Sequence, residues 1–228
     1  MSVSPLYGSQ SAMIELTPEL LLRAYTIGIF PMAESANSDE LFWLDPEIRG
    51  IIPLDTFYVP RRLRRTVRRS TFRITIDEAF GLVLDQCAIP TPKRPKTWIN
   101  DQIKDAYTDL FNRGYAHSVE VWDGAELVGG LYGVAIGSAY FGESMFQTRT
   151  DASKIALIHL VGRLQAAGFR VLDTQFVTEH LSQFGAIEIP RAQYKALLAS
   201  ALAQEADFYS PSADEALATV LQPITQTS

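Results

Sequence analysis

HSVEVWDGAELVGGLYGVAIGSAYFGESMF, running from His117 to Phe146, is the stretch whose reading decides the fold. The runs His117 to Trp122 and Glu126 to Ile136 flank Asp123-Gly124, a dipeptide that takes the positive φ angles of a tight primed turn and so predicts a hairpin. A third run, Ser138 to Phe146, extends the hairpin into a meander. Beyond it, the spacing predicts a helix from about Asp151 to Ala167 that stops at Gly168, then a strand from Val171 to Phe176. A short helix starts near Thr178, Ile187 to Ile189 is extended, and Pro190 opens a last helix with Tyr194, Leu197, Leu198 and Ala201 on one face. A meander followed by a strand–helix–strand unit predicts an α+β fold, a mixed sheet with helices packed on it.

Working back toward the front, Thr17-Pro18-Glu19 has a capping threonine and a proline at the first helical position. That helix runs through Leu20, Leu21, Ala24 and Ile27 to Gly28. A polar loop over 34–40 and short extended pieces at Phe42 to Leu44 and Ile48 to Pro53 follow. Pro60 opens a basic segment in which Leu63 and Val67, four apart, share one face of a short helix. Phe72, Ile74 and Ile76 alternate as a strand does, with Asp77 expected to cap a helix through Phe80, Val83 and Leu84. Pro90, Pro92 and Pro95 predict a loop, and a helix from about Ile99 to Arg113 ends at Gly114. The expected division is a small N-terminal domain over 1–60 and a larger one over 61–228, with the first 11 residues and the tail after Ala206 loosely ordered.

At 228 residues and 47% hydrophobic composition, the chain can bury a substantial core, which rules out global disorder. One cysteine excludes an internal disulfide framework and a zinc or iron–sulfur site built on cysteines. No run of about 18 apolar residues predicts a membrane span. Met1 to Ser11 lacks the basic start of a secretory signal, so a cytoplasmic protein is expected. The net charge of −6 conceals a block of seven arginines: Arg61, Arg62, Arg64, Arg65, Arg68, Arg69 and Arg73. No acidic residue interrupts it, so an otherwise acidic protein presents one positive patch, suited to a polyanion docking at one place.

The three histidines, His117, His159 and His180, have no ligand spacing, so no metal is expected. Cys87 lies on an amphipathic helix and reads as a small core residue. Ser144 lacks the second glycine of a nucleophile elbow. Glu143 is different, since it stands in the apolar company of Tyr140, Phe141, Met145 and Phe146, where a carboxylate is costly unless paired or hydrogen-bonded. Asp173 and Gln175, two apart on another strand, share one face. Two acids and an amide so placed can grip or deprotonate an amine; a structural hydrogen-bond network or a solvated sheet edge is the competing reading.

The strand–helix junction narrows the donor. Acyl-CoA acetyltransferases carry there a Gln/Arg-x-x-Gly-x-Gly/Ala loop whose amides hold a pyrophosphate. Here Gln147 to Ala152 places Thr150 at a glycine position and Asp151 where phosphates would lie, which disfavours CoA. Trp43 and Trp98 lie in or beside irregular segments, where a ring can stack on a nucleobase; core packing is the alternative for each.

The strings Gly28-Ile-Phe-Pro31, Thr97-Trp98-Ile99, Ala116 to Trp122, Leu127 to Gly133, Gly142-Glu-Ser-Met-Phe146, Ala152-Ser-Lys154, Asp173-Thr-Gln175 and Gly185 to Arg191 occur in order over about residues 17 to 195. Together they resemble the leucyl/phenylalanyl-tRNA–protein transferase family. The resemblance implies a small N-terminal domain joined to an acetyltransferase-like (GNAT-like) domain. It also implies transfer of Leu or Phe, with Met expected too, from aminoacyl-tRNA to proteins beginning with Arg or Lys, which creates an N-degron. No cofactor is implied.

Residue by residue, Asp173 and Gln175 match the family's catalytic Asp-x-Gln pair, and Glu143 its Gly-Glu-Ser-Met-Phe glutamate. Trp43 and Trp98 match residues lining the site of the 3′-terminal adenosine, while Leu131, Tyr140, Met145, Leu160 and Leu172 fall in the aminoacyl side-chain pocket. Arg61, Arg62, Arg64, Arg65, Arg68 and Arg69 match the basic tRNA-docking helix. The front departs from the family: Ser9 to Glu15 replaces its glycine-rich stretch, and Met32 replaces its aromatic after Gly-Ile-Phe-Pro. The expected chemistry is ester aminolysis, with Asp173, oriented through Gln175, assisting amine deprotonation and Glu143 positioning the amine or the ribose. An acetyl-CoA-dependent N-acetyltransferase and a non-catalytic RNA-binding protein are the alternative readings.

Overall fold

The computed structural model describes residues 16–33, 38, 41–91, 95 and 97–222. The expectations for the first 11 residues, for Ser9 to Glu15 and for most of the 34–40 loop fall outside them, as does Pro92. Helix α1 (Pro18–Thr26) is capped as its sequence predicts: the Thr17 hydroxyl accepts from the Leu20 amide at 3.2 Å, and Gly28 leaves the helix at φ +81°. Strands β1 (Phe30–Ala33) and β2 (Leu41–Leu44) form a two-stranded antiparallel ribbon.

The remaining strands are β3 (Ile48–Ile52), β4 (Arg73–Ile76), β5 (Ala116–Asp123), β6 (Glu126–Ile136), β7 (Ala139–Gln147), β8 (Val171–Gln175) and β9 (Ile187–Pro190). They make one mixed sheet in the order β4-β5-β6-β7-β8-β3-β9, antiparallel throughout except where β7 meets β8. The α+β expectation holds at this level. β3 lies before residue 60 yet is inserted between β8 and β9, so a domain boundary at 60 would cut a strand out of its own sheet.

Helices cover both faces. On one face α1 packs with α3 (Phe80–Ala88), α4 (Asp101–Asn112) and α7 (Arg191–Leu202), burying Tyr25, Tyr107, Phe141 and Tyr194. On the other lie α2 (Arg61–Arg69), α5 (Ala152–Ala166), the short α6 (Glu179–Ser182) and α8 (Ala213–Val220). Helix α5 is buried almost all round, the behaviour of a helix clamped between a sheet and further helices.

Two expectations fail here. Asp77 does not cap α3, which starts after Ala79. Instead Asp77, at φ +60°, turns its carboxylate back to the Ser118 amide at 2.6 Å and to His117 Nδ1 at 2.8 Å. The tail beyond Ala206 is not loose through residue 222, because α8 opens on a capping box between Ser212 and Glu215 and packs against α5. A Cβ at Gly162 of α5 would stand 2.1 Å from the Ala216 carbonyl oxygen, so only glycine admits α8 at this distance.

Candidate active site

Strands β7 and β8 pair only from Ala139–Val171 to Phe141–Asp173. Past that point each strand turns aside, for a reason that is visible in the chain. On β7 a bulge sets Gly133 opposite Gly142 and Tyr132 opposite Ser144, leaving Glu143 as the extra, unpaired residue. On β8 Gln175 adopts φ +58°, held by a 2.8 Å hydrogen bond from its amide to Asp173 Oδ1, a side-chain turn that breaks off the ladder. A cavity of about 310 Å³ opens between the parted strands.

One end of the cavity is apolar, lined by Leu131, Met145, Leu157, Leu160 and Leu172. Phe30, Pro31, Met32 and Trp98 also line it, so the ribbon and the start of α4 contribute. Polar groups concentrate on Glu143 and on the segment 174–180. Thr174, Gln175 and His180 line the cavity, and their Oγ1, Nε2 and Nε2 atoms are buried without a hydrogen-bond partner among the described residues. Burial, with some help from the Lys154 charge, lowers the basicity of His180.

Glu143 accepts hydrogen bonds from the Tyr25 hydroxyl at 2.6 Å and the Tyr107 hydroxyl at 2.9 Å, and the two phenol oxygens lie against each other, a contact that becomes a hydrogen bond when a protonated Glu143 donates to one of them. Burial pushes its carboxyl up to about 7, against the two phenolic donors that favour the ionised form. A carboxyl poised near neutrality can accept or return a proton in the working pH range.

Asp173 is placed otherwise than expected. It is fully buried and does not line the cavity. The Arg49 guanidinium grips it at both ends, Nε to Oδ1 at 2.9 Å and Nη2 to Oδ2 at 2.6 Å, and the Tyr194 hydroxyl donates to Oδ2 at 2.7 Å. With Gln175 N on Oδ1 as well, neither oxygen is left to meet an amine. Asp173 thus holds the turn that carries Gln175.

The other expected residues divide. Trp98, Leu131, Met145, Leu160 and Leu172 come together in the cavity. Tyr140 does not: its ring stacks on Phe208 at 5.7 Å and its hydroxyl donates to the His117 carbonyl at 3.2 Å. Trp43, opposite Pro31 in the ribbon, packs on the core beside the cavity, and Met32 of the facing strand takes the lining position. Of the basic helix, Arg61, Arg65, Arg68 and Arg69 are exposed and line a groove with Arg64. Arg64 donates to the Leu221 carbonyl, and Arg62 bonds the buried Asp151 carboxylate at the start of α5. Lys154 joins Asp151 at 3.1 Å, so the start of α5 already holds a compensated anion.

Arg49, Tyr25, Tyr107 and Tyr194 escaped the sequence reading. Arg49 carried the same signal as Glu143, one charge inside an apolar run (Ile48 to Ile52), while the three tyrosines look like any buried helical aromatic.

An apolar pocket, a carboxyl raised toward neutrality and an unpartnered amide, in a protein with a dense run of arginines on one helix, fit a transferase of acyl groups delivered on a nucleic acid. The chain belongs to the leucyl/phenylalanyl-tRNA–protein transferase family, whose model matches residues 51–199, while the model for the family's N-terminal domain matches residues 14–47. The leucyl/phenylalanyl-tRNA–protein transferase of Nitrobacter winogradskyi is 58% identical over 199 residues, covering 87% of this chain and 88% of its own. That of Afipia carboxidovorans is 56% identical over 204 residues, covering 90% of each. Among solved structures, L-PGS from Bacillus licheniformis is similar at a TM-score of 0.41 and 13% identity, over 72% of this chain and 54% of that one. A conserved protein of Staphylococcus epidermidis follows at 0.39 and 10%, over 75% and 64%. These structural likenesses are too loose to decide the fold.

Proposed function

We propose that the chain transfers leucine or phenylalanine, and methionine as a third donor, from aminoacyl-tRNA to the α-amine of proteins with N-terminal Arg or Lys, and does so in the cleft between β7 and β8. The observation that carries the reading is Glu143 on its bulge, a titratable group that shares a cavity with an apolar pocket and the Gln175 amide. A hydrophobic hollow accepts several side chains of similar size, since apolar cavities discriminate weakly among them. The bulged β7 and the parting of β7 from β8 support an acetyltransferase-like architecture for this part of the sheet. The reaction belongs in the cytoplasm, where charged tRNA is present.

The donor is an activated ester, so no covalent enzyme intermediate is required. The uncharged α-amine attacks the ester carbonyl carbon, the carbon–oxygen bond to the ribose breaks, and the proton lost by the attacking nitrogen ends on the departing ribose hydroxyl. Glu143 takes the amine proton and, when ionised, attracts the cationic end of the acceptor. Gln175 Nε2, without a partner of its own, is a donor for the oxygen that gains charge in the transition state. Trp98 provides a face for the terminal adenine, and Trp43 supports that side of the site from the ribbon. Arg61, Arg65, Arg68 and Arg69 hold the tRNA backbone, reading phosphates rather than bases. The test is incubation with charged Leu-tRNA and an Arg-starting peptide, read by mass spectrometry. A peptide longer by one leucyl residue at its N-terminus supports the reading; an unmodified peptide, or one acetylated when acetyl-CoA is supplied instead, rejects it.

A further inference from the structure

We propose that Arg49 is a positioning residue for the transfer, aiming the Gln175 amide by fixing the carboxylate on which the Gln175 turn hangs. The inference rests on Gln175 acting at the donor ester. Arg49 is 1% exposed, and each of its three guanidinium nitrogens donates a hydrogen bond. Nε and Nη2 take the two Asp173 oxygens in a fork, and Nη1 donates to the Gly28 carbonyl at 2.9 Å. The guanidinium carbon also lies over two aromatic rings, 4.6 Å from the centre of Phe30 and 4.5 Å from that of Tyr194. A guanidinium hydrogen-bonded along its edges and packed on two rings is restrained from rotating, and so is the carboxylate it grips in a fork.

That rigidity reaches the cavity in one step. Asp173 Oδ1 accepts from Arg49 Nε and from the Gln175 amide alike, so the same oxygen that Arg49 fixes holds Gln175 in a backbone conformation that side chains other than glycine rarely adopt. The next residue of β3 completes the device. Gly50 faces Gln175 in the ladder, and a Cβ there would stand 2.6 Å from the Phe176 carbonyl carbon and 2.8 Å from the Val177 nitrogen. The pair Arg49-Gly50 therefore grips the turn from one side and makes room for its exit on the other. The Phe30 clamp and the Gly28 contact explain why the Gly28-Ile29-Phe30-Pro31 stretch, remote from Asp173 in sequence, belongs to the site.

A lysine at 49 keeps the charge and loses the fork. Arg49→Lys is expected to lower kcat for leucyl transfer by about 10- to 100-fold, the scale of a small misplacement of a reacting group, with KM for Leu-tRNA within about 2-fold of the parent. A purely structural role would reduce the folded fraction and leave kcat per folded molecule unchanged, which would overturn the proposal. Gln175→Ala, run alongside, separates the two readings: full activity there removes Gln175 from the chemistry, whereas a slow Gln175→Ala beside an unimpaired Arg49→Lys removes Arg49 alone. Where Arg49→Lys does not accumulate folded, Tyr194→Phe reads the same relationship, because it keeps the ring on the guanidinium and deletes the hydroxyl on Asp173 Oδ2. A kcat reduced about 3-fold or more at unchanged KM supports the proposal, and an unchanged kcat contradicts it.

Discussion

The Tyr25 hydroxyl donates a 2.6 Å hydrogen bond to Glu143 across 118 positions of sequence, which ties helix α1 to the bulge of β7. Burial nevertheless wins over this bond and its Tyr107 counterpart, so the carboxyl titrates near about 7 against an ordinary value of 4.5. A base works only when ionised, so kcat at saturating Leu-tRNA is expected to climb as pH rises through about 7. Glu143→Gln should remove that limb and leave the one due to the acceptor amine, which loses its proton at roughly 7.7–8.0. An unaltered pH profile in the variant would take Glu143 out of proton transfer.

The same shift fixes a stability trend. Folding favours the protonated carboxyl, so between 4.5 and about 7 the native state binds more protons than the unfolded one. The Glu143 contribution to stability is therefore best at the acid end of that window and declines as pH rises through it. Denaturant unfolding of wild type against Glu143→Gln over this window should show the two curves diverging upward in pH, with the variant gaining relative to wild type. Parallel curves would mean that the group titrates normally.

For the arginine groove, replacing Arg61, Arg65, Arg68 and Arg69 by Ala should weaken tRNA binding and flatten its dependence on salt, by roughly 0.7–0.9 in logarithmic slope per lost phosphate contact. These side chains are exposed, so the melting temperature should stay close to that of the parent. Arg62 and Arg64 are left intact because each makes an internal hydrogen bond. An unchanged salt slope would assign the groove another role.

In the proposed reaction the apolar lining of the cavity selects the donor side chain. Leu160, buried on α5, lines it, and Leu160→Phe would fill part of the space. Transfer of Phe is expected to fall more than transfer of Leu, changing the ratio of their kcat/KM values by about 10-fold or more. Equal losses for both donors would place the side-chain pocket elsewhere.

How far the sequence alone reached follows from what each signal encodes. The hairpin at Asp123-Gly124 and the capped α1 were legible because turns and caps are local chemistry, decided by a few adjacent residues. Glu143 was legible as a charge in apolar company. The surroundings of Asp173 were not legible, because strand alternation tells which face a side chain takes and says nothing about the guanidinium waiting there, brought from the neighbouring strand β3. The insertion of β3 between β8 and β9, and the docking of α8 on Gly162, were equally invisible, since both depend on partners far along the chain.

That docking gives a stability prediction of its own. Gly162→Ala puts a methyl group against the Ala216 carbonyl, forcing α8 outward, and is expected to destabilise the protein by about 1–3 kcal/mol. Differential scanning calorimetry should show a melting temperature lower by several degrees, and an unaltered melting temperature would mean that α8 is not seated on α5.

The central claim, that the aminoacyl end of the donor lies between the parted strands, is tested most directly by a crystal structure with an amide-linked leucyl-adenosine, which cannot be cleaved. The account places the leucyl side chain among Leu131, Met145, Leu160 and Leu172, with the carbonyl beside Gln175 and the adenine against Trp98. Density for the bound molecule anywhere outside the β7–β8 cleft, with the cleft unaltered, would contradict it.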